Sequence, residues 1–139
     1  MYAAMNNPIS TYQRIGIETG VESANPHKLI LMLFEGAQEA LAKAKMHLQY
    51  NEIAAKGEML SKAIMIIDQG LKASLDMNAE GDIALQLQAL YDYMIHRLLT
   101  ANLRNDPAII NEVNELLSVL CDAWRIIGES DAAKSISGK

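Results

Sequence analysis

Apolar residues recur along this chain at steps of three and four, the spacing of a buried helix face, and nowhere in the strict alternation of a half-buried strand. Asn25 followed by Pro26 reads as an N-cap and first helical position. The stripe Ile30, Leu33, Ala37, Leu41, Ala44 and Leu48 then predicts a helix to about Gln49. Asn51 reads as the cap of a second helix that runs to about Met77 and stops in the turn-rich stretch Asn78, Ala79, Glu80, Gly81. A third helix is expected over roughly Asp82 to Arg104, with Ile83, Leu87, Leu90, Met94, Leu98 and Ala101 inward. Asp106 and Pro107 repeat the cap-then-proline signal, and Ile110, Val113, Leu117, Leu120, Trp124 and Ile127 define a fourth face. Connections this short join antiparallel neighbours. The expected fold class is therefore all-α, an antiparallel up-and-down four-helix bundle over residues 25–128, with a disordered tail over 129–139.

The second helix carries more apolar surface than one bundle face requires. One stripe is Ile53, Gly57, Leu60, Ile64, Ile67, Leu71 and Leu75; an interleaved one is Met59, Ala63, Ile66, Gly70, Ala73 and Met77. At about 100° per residue the two lie on the order of 130° apart, so one is expected to face the core and the other a partner. Gly70 sits among small side chains and methionines, which suits close approach by another helix. The bland alternative is that the chain's own neighbouring elements cover this stripe. Similar excess appears on two other helices: Leu31 and Met32 within the unbroken run Leu29 to Phe34, and Leu85, Ile95, Leu99 and Leu103 on the third. Surplus of this kind on three helices points to an interface, with packing at the bundle ends the equal alternative for Leu31 and Leu103. The partner-binding residues expected are Met59, Ala63, Ile66, Gly70, Ala73 and Met77, flanked by Leu31, Met32 and Leu99. A homodimer interface is the competing use of the second stripe, expected in the absence of a client.

Residues 1–24 are different. Tyr2, Met5, Ile9, Tyr12 and Ile15 recur at helical steps on a segment too short to be stable alone, so it is expected to dock as a short helical arm over a groove.

Composition narrows the chemistry. The chain has 139 residues, one Trp, one Phe and eight Met, a helical composition long enough for one core without metal or disulfide support. Its formal net charge is −5 with interspersed signs, which argues against nucleic acid and anionic membrane as partners. The run Leu29 to Phe34 falls far short of the ~20 residues that span a bilayer, and Met1 to Ile15 lacks a signal core, so a cytoplasmic protein is expected. The lone Cys121 reads as a buried structural thiol. No histidine has Glu three residues before it, as a carboxylate-bridged metal bundle requires. Asp92 and His96, at i and i+4, read as a weak ion pair. No phosphate loop, zinc motif or nucleophile elbow is present, so neither catalysis nor a cofactor is expected.

Several separate blocks resemble a known family. Asn25-Pro26-His27-Lys28-Leu29-Ile30-Leu31-Met32-Leu33-Phe34-Glu35-Gly36-Ala37, Ala73-Ser74-Leu75-Asp76, Leu90-Tyr91-Asp92-Tyr93-Met94, Arg97-Leu98, Ala101 through Pro107 and Ala123-Trp124 are similar to the FliS family of flagellar secretion chaperones. The blocks stand in the family's order over about residues 12 to 125. The chain departs in having Asn25 where the family commonly has Ser, and Phe34-Glu35 where it commonly has Tyr-Asp, changes that keep shape or charge. The resemblance implies a cytosolic bundle that binds the C-terminal region of flagellin, prevents premature polymerisation and delivers it to a component of the flagellar export gate. It also implies that the N-terminal segment around Tyr12-Gln13 lies over part of the flagellin site and is displaced. An adaptor whose main client is another flagellar protein, an anti-sigma factor or a co-chaperone, is the alternative. The list of binding residues comes from the stripes, not from the likeness.

Overall fold

A computed structural model describes residues 25–137, with side chains described through Gly128 apart from Glu80. All regular structure among the described residues is helical, without a strand: α1 (Pro26–Gln49), α2 (Ile53–Met65), a π-helical segment (Ile66–Lys72), the single turn α3 (Met77–Glu80), α4 (Asp82–Arg104) and α5 (Pro107–Ser137). α1 packs against α2, the π segment and α5; α4 packs against α2, the π segment, α3 and α5. Each long helix thus has two principal neighbours, and one core lies between them.

The punctuation is local chemistry. Asn25 caps α1 by accepting the Lys28 amide at 2.7 Å, with Pro26 in the first turn where its missing N–H costs nothing. Asp106 does the same for α5, accepting the Ala108 amide at 2.9 Å ahead of Pro107. Asn51 has a different role from the expected one. It adopts φ 58°, and the bonds Asn51 N to Leu48 O and Glu52 N to His47 O close α1 in a Schellman motif, so Asn51 ends the first helix and does not cap the second. Asn105, at φ 53°, ends α4 in a similar left-handed cap.

Two expected boundaries move. The second helix does not run to Met77: it widens into the π segment at Ile66, turns at Ala73 and Ser74, and restarts at α3, which Asp76 caps through Asn78 N and Ala79 N. The fourth does not fray into a disordered tail after Gly128. α5 continues to Ser137, because no proline interrupts residues 129–137 and a lone glycine costs only about 1 kcal/mol relative to alanine.

The core is made of Leu33, Ala37, Leu41 and Ala44 from α1, Leu60, Ala63, Ile66, Ile67 and Leu71 from the second helical stretch, Tyr91, Met94, Leu98 and Ala101 from α4, and Ile110, Val113, Leu117 and Cys121 from α5. Cys121 is buried, and burial pushes its thiol pKa above the ordinary value. Ile83, assigned inward above, is exposed, and Ile127 is half-exposed; both lie near helix ends, where neighbours no longer surround them.

Trp124 is half-buried and packs against the core from its edge, not in its centre. Its indole stacks on His27 with centroids 4.7 Å apart and planes within 4°. Trp124 Nε1 donates to His27 O at 2.9 Å, and His27 Nε2 bonds Trp124 O at 2.6 Å. This reciprocal pair ties the start of α1 to α5. A Cβ built on Gly128 would collide with the His27 ring. Gly128→Ala is therefore expected to lower stability by roughly 1 to 3 kcal/mol through overpacking. In a His27→Ala background the same change should turn neutral or stabilising. Urea denaturation of the four variants checks this, and a cost unchanged by His27→Ala would mean that the clamp does not require the glycine.

Candidate partner-binding surface

α2 packs against α1 on one side and α4 on the other, so its inward direction points between them. The buried set Lys56, Leu60, Ala63 and Ile67 lies between the two apolar stripes, roughly 60° from each. Both stripes contribute to one wide core face. Ala63, Ile66 and Gly70, assigned above to a partner, are fully buried among the chain's own helices, and a Cβ on Gly70 would stand 2.8 Å from Leu33 Cδ2. The close approach foreseen for Gly70 is made by α1 of the same chain. The π segment widens this face further, since Ile66 with Ile67 and Gly70 with Leu71 are adjacent pairs that both point inward.

The remaining expected residues disperse. Met59, Leu31 and Met32 are half-buried and packed on the core. Ala73 and Met77 are exposed, but they follow the π segment and no longer continue the face of α2. Leu99 is half-exposed on α4. The arm residues Tyr12, Gln13 and Ile15 lie outside the described residues.

The apolar surface left open runs along the outer junction of α2 and α4. Ile53, Gly57 and Ile64 lie on the side of α2 turned toward α4, with Met65 at its outer rim; Ile95, Leu99 and Leu103 lie on the matching side of α4. Leu103 is 85% exposed and extends the apolar surface that Ile95 and Leu99 begin. Leu99 and Leu103 were singled out from the surplus on the third helix, but Ile53 and Ile64 were assigned wholly to the core.

Polar bonds pin this junction at both ends. Lys56, only 2% exposed, donates from Nζ to Asn102 O at 2.9 Å and Asn102 Oδ1 at 2.6 Å, capping carbonyls at the C-terminal end of α4. At the other end Lys72 Nζ meets Asp92 Oδ1 at 2.6 Å, and that bond raises the lysine pKa. Sequence reading missed Lys56. The available signal was its position four residues before Leu60, on the core face. Asp92 does not pair with His96 through its carboxylate as expected: His96 Nδ1 donates to the Asp92 backbone carbonyl at 3.0 Å, while the carboxylate serves Lys72. Among the described residues no group of three or more His, Cys, Asp or Glu is placed to hold a metal ion. No described helix is long and apolar enough to cross a membrane.

On the opposite flank of α4, Glu112 of α5 accepts from Tyr93 Oη and from Arg97 Nε at 2.9 Å. The Tyr93 hydroxyl first, and Arg97 second, hold the Glu112 carboxyl below its ordinary value of 4.5. A carboxylate depressed in the fold stabilises above its unfolded pKa and loses that contribution as pH falls through the folded value. The stability gap between wild type and Glu112→Gln should therefore be present at neutral pH and close progressively below about pH 4.5, measured by urea midpoints across pH. A gap that persisted at the acid end would remove the ionised carboxylate as its cause.

Ile66→Asp should now unfold the protein as thoroughly as Ile67→Asp, since each places a carboxylate without a partner in the same core, at a cost of several kcal/mol. Thermal melts of both variants check this. A folded Ile66→Asp protein would return the second stripe to the surface.

Comparison with known proteins adds the lineage. A family model described as "Flagellar protein FliS" matches residues 6–131. The chain is similar to the flagellar secretion chaperone FliS of Salmonella typhimurium, with 54% identity over 127 residues that cover 91% of this chain and 93% of that one. It is 45% identical to the Escherichia coli K12 chaperone over 90% of each chain, and 34% identical to that of Bacillus subtilis over 88% of this chain and 86% of the relative. With the matched region spanning every helix that builds the core, the chain belongs to the FliS family, whose members are flagellar secretion chaperones and not enzymes.

Proposed function

We propose that this chain is a cytoplasmic export chaperone that holds the C-terminal helical region of flagellin, keeps it from polymerising, and passes it to the flagellar type III export apparatus through a component of the export gate. The observation that carries the reading is the open apolar junction of α2 and α4, lined by Ile53, Ile64, Met65, Ile95, Leu99 and Leu103 on a frame already pinned at both ends. An amphipathic client helix laid there hides the face through which it would pair with its own kind. Ala63, Ile66 and Gly70 serve the core, and Met59, Leu31 and Met32 pack against it.

The frame is read as an antiparallel up-and-down bundle of four long helices. That order is supported by the pairing of early α2 with late α4, Lys56 with Asn102, and of the end of the π segment with mid-α4, Lys72 with Asp92. Residues 1–24 act as a cap that covers apolar surface until the client displaces it. Much of the client orders only on binding, so its ordering entropy offsets part of the contact energy and keeps release accessible.

Met65→Asp and Ile53→Asp should each weaken binding of a flagellin C-terminal segment by about ten- to a hundredfold, since each sets an unpaired carboxylate in a dry contact. Their melting temperatures should stay near wild type because both side chains are substantially exposed. Isothermal titration checks the binding. Unchanged affinity in both variants would move the client off the α2/α4 junction.

A further inference from the structure

Across the bundle from the α2/α4 junction, α1 and α5 pack side by side and leave a polar groove between them. It holds about 460 Å³ and is lined by Gln38 and Lys45 of α1 and by Asn111, Asn114, Glu115 and Ser118 of α5. On each helix the spacing sets these residues on one face: Gln38 and Lys45 are two turns apart, and Asn111, Asn114 and Ser118 step by three and four. No lining side chain is aromatic or aliphatic. Among the described residues none of these side chains spends a hydrogen bond or an ion pair on a neighbour, and Asn114 Oδ1 is a buried acceptor that receives no donor.

We propose that this groove binds an extended segment of a partner polypeptide through its backbone. The lining excludes other classes of ligand. An apolar molecule or the ring of a sugar has no apolar wall to lie against, and a nucleobase has no aromatic side chain to stack on. A phosphate meets no net charge, because Lys45 and Glu115 offset one another. What remains is a ligand made of amide groups. Each residue of an extended strand offers one N–H and one C=O, and a primary amide side chain answers that pair with its own oxygen and nitrogen. Gln38, Asn111 and Asn114 are primary amides, and Asn114, turned either way, presents a group that needs a partner.

Two turns of helix span about 11 Å, so the groove takes roughly three residues of an extended strand at about 3.3 Å each. Lys45 and Glu115 are exposed on opposite walls, where the successive side chains of such a strand emerge. A segment with an acidic and a basic residue side by side therefore matches the rim as well as the floor. The proposal does not rest on the client reading, because α1 and α5 take no part in the α2/α4 junction.

The probe is the peptide acetyl-Ala-Asp-Lys-Ala-amide, titrated into the full chain and followed by NMR. The side-chain amide signals of Asn111 and Asn114 should shift and saturate, with a Kd on the order of millimolar for a ligand this short. The same peptide methylated on its backbone nitrogens, which removes its donors, should bind about tenfold more weakly or worse. Asn114→Leu should cost about as much affinity while its melting temperature stays at or above that of wild type, since no bond of the fold is lost. Gln38→Met, close in shape, should weaken binding with the melting temperature unchanged. Binding should persist when a flagellin C-terminal segment is already bound. No saturation, equal binding of the methylated peptide, or full binding by both variants would each overturn the proposal. A marked fall in melting temperature in both variants would assign the amides to the fold and overturn it as well. Displacement of the peptide by the flagellin segment would give the groove to the client and overturn a separate partner. Unchanged flagellin affinity in Met65→Asp and Ile53→Asp would instead touch only the α2/α4 reading.

Discussion

The constraint on which the rest depends is that α2 and its π continuation must satisfy α1 and α4 at the same time. A helix with one neighbour hides one stripe; a helix wedged between two needs a face broad enough for both. Two apolar stripes with the inward direction between them meet that need. The contact of Gly70 with Leu33 then sets how closely α1 approaches, because any side chain at Gly70 would stand within 3 Å of a leucine methyl. Ala63 and Ile66 are buried beside that approach, and the π segment turns two consecutive residues inward twice in succession.

Much of this was legible in the sequence, and the failures share one cause. The caps at Asn25 and Asp106 were read correctly because they depend on a side chain and the next three residues. The inward residues of α1 and α4 were mostly found because each predicted stripe runs along the middle of its buried face, through Leu33, Ala37, Leu41 and Ala44 and through Met94, Leu98 and Ala101. Asn51 was misjudged because a left-handed asparagine and an N-cap asparagine look alike until the backbone bonds of the preceding turn are seen. The partner stripe was misassigned because periodicity gives the angle between two stripes and not the direction of the core. Lys56 escaped for a complementary reason: a lysine on the inward face reads as an interruption until the carbonyl that it caps, at Asn102, is brought across from another helix.

The candidate site was accordingly half visible. Leu99 and Leu103 announced themselves as leucines far from their helix's core stripe, and they remain exposed. Ile53 and Ile64 were hidden in a stripe counted as core, since the edge of a broad buried face and the floor of a groove have the same sequence signature. Only the packing of α4 beside α2 separates them.

A chaperone that displays apolar surface faces a physical conflict. The surface that attracts a client also attracts other copies of the chaperone. Here the fold does not need that surface for its own stability, because the core closes without Leu99, Leu103 or Met65 and the junction is held by Lys56 and Lys72 instead. The exposed leucines are thereby free to follow the requirements of binding alone. Asp92 and His96 stand between Leu85 and Leu99 on the outward side of α4, so polar side chains divide the apolar surface there. A partner laid along this face must therefore match charge as well as bury area.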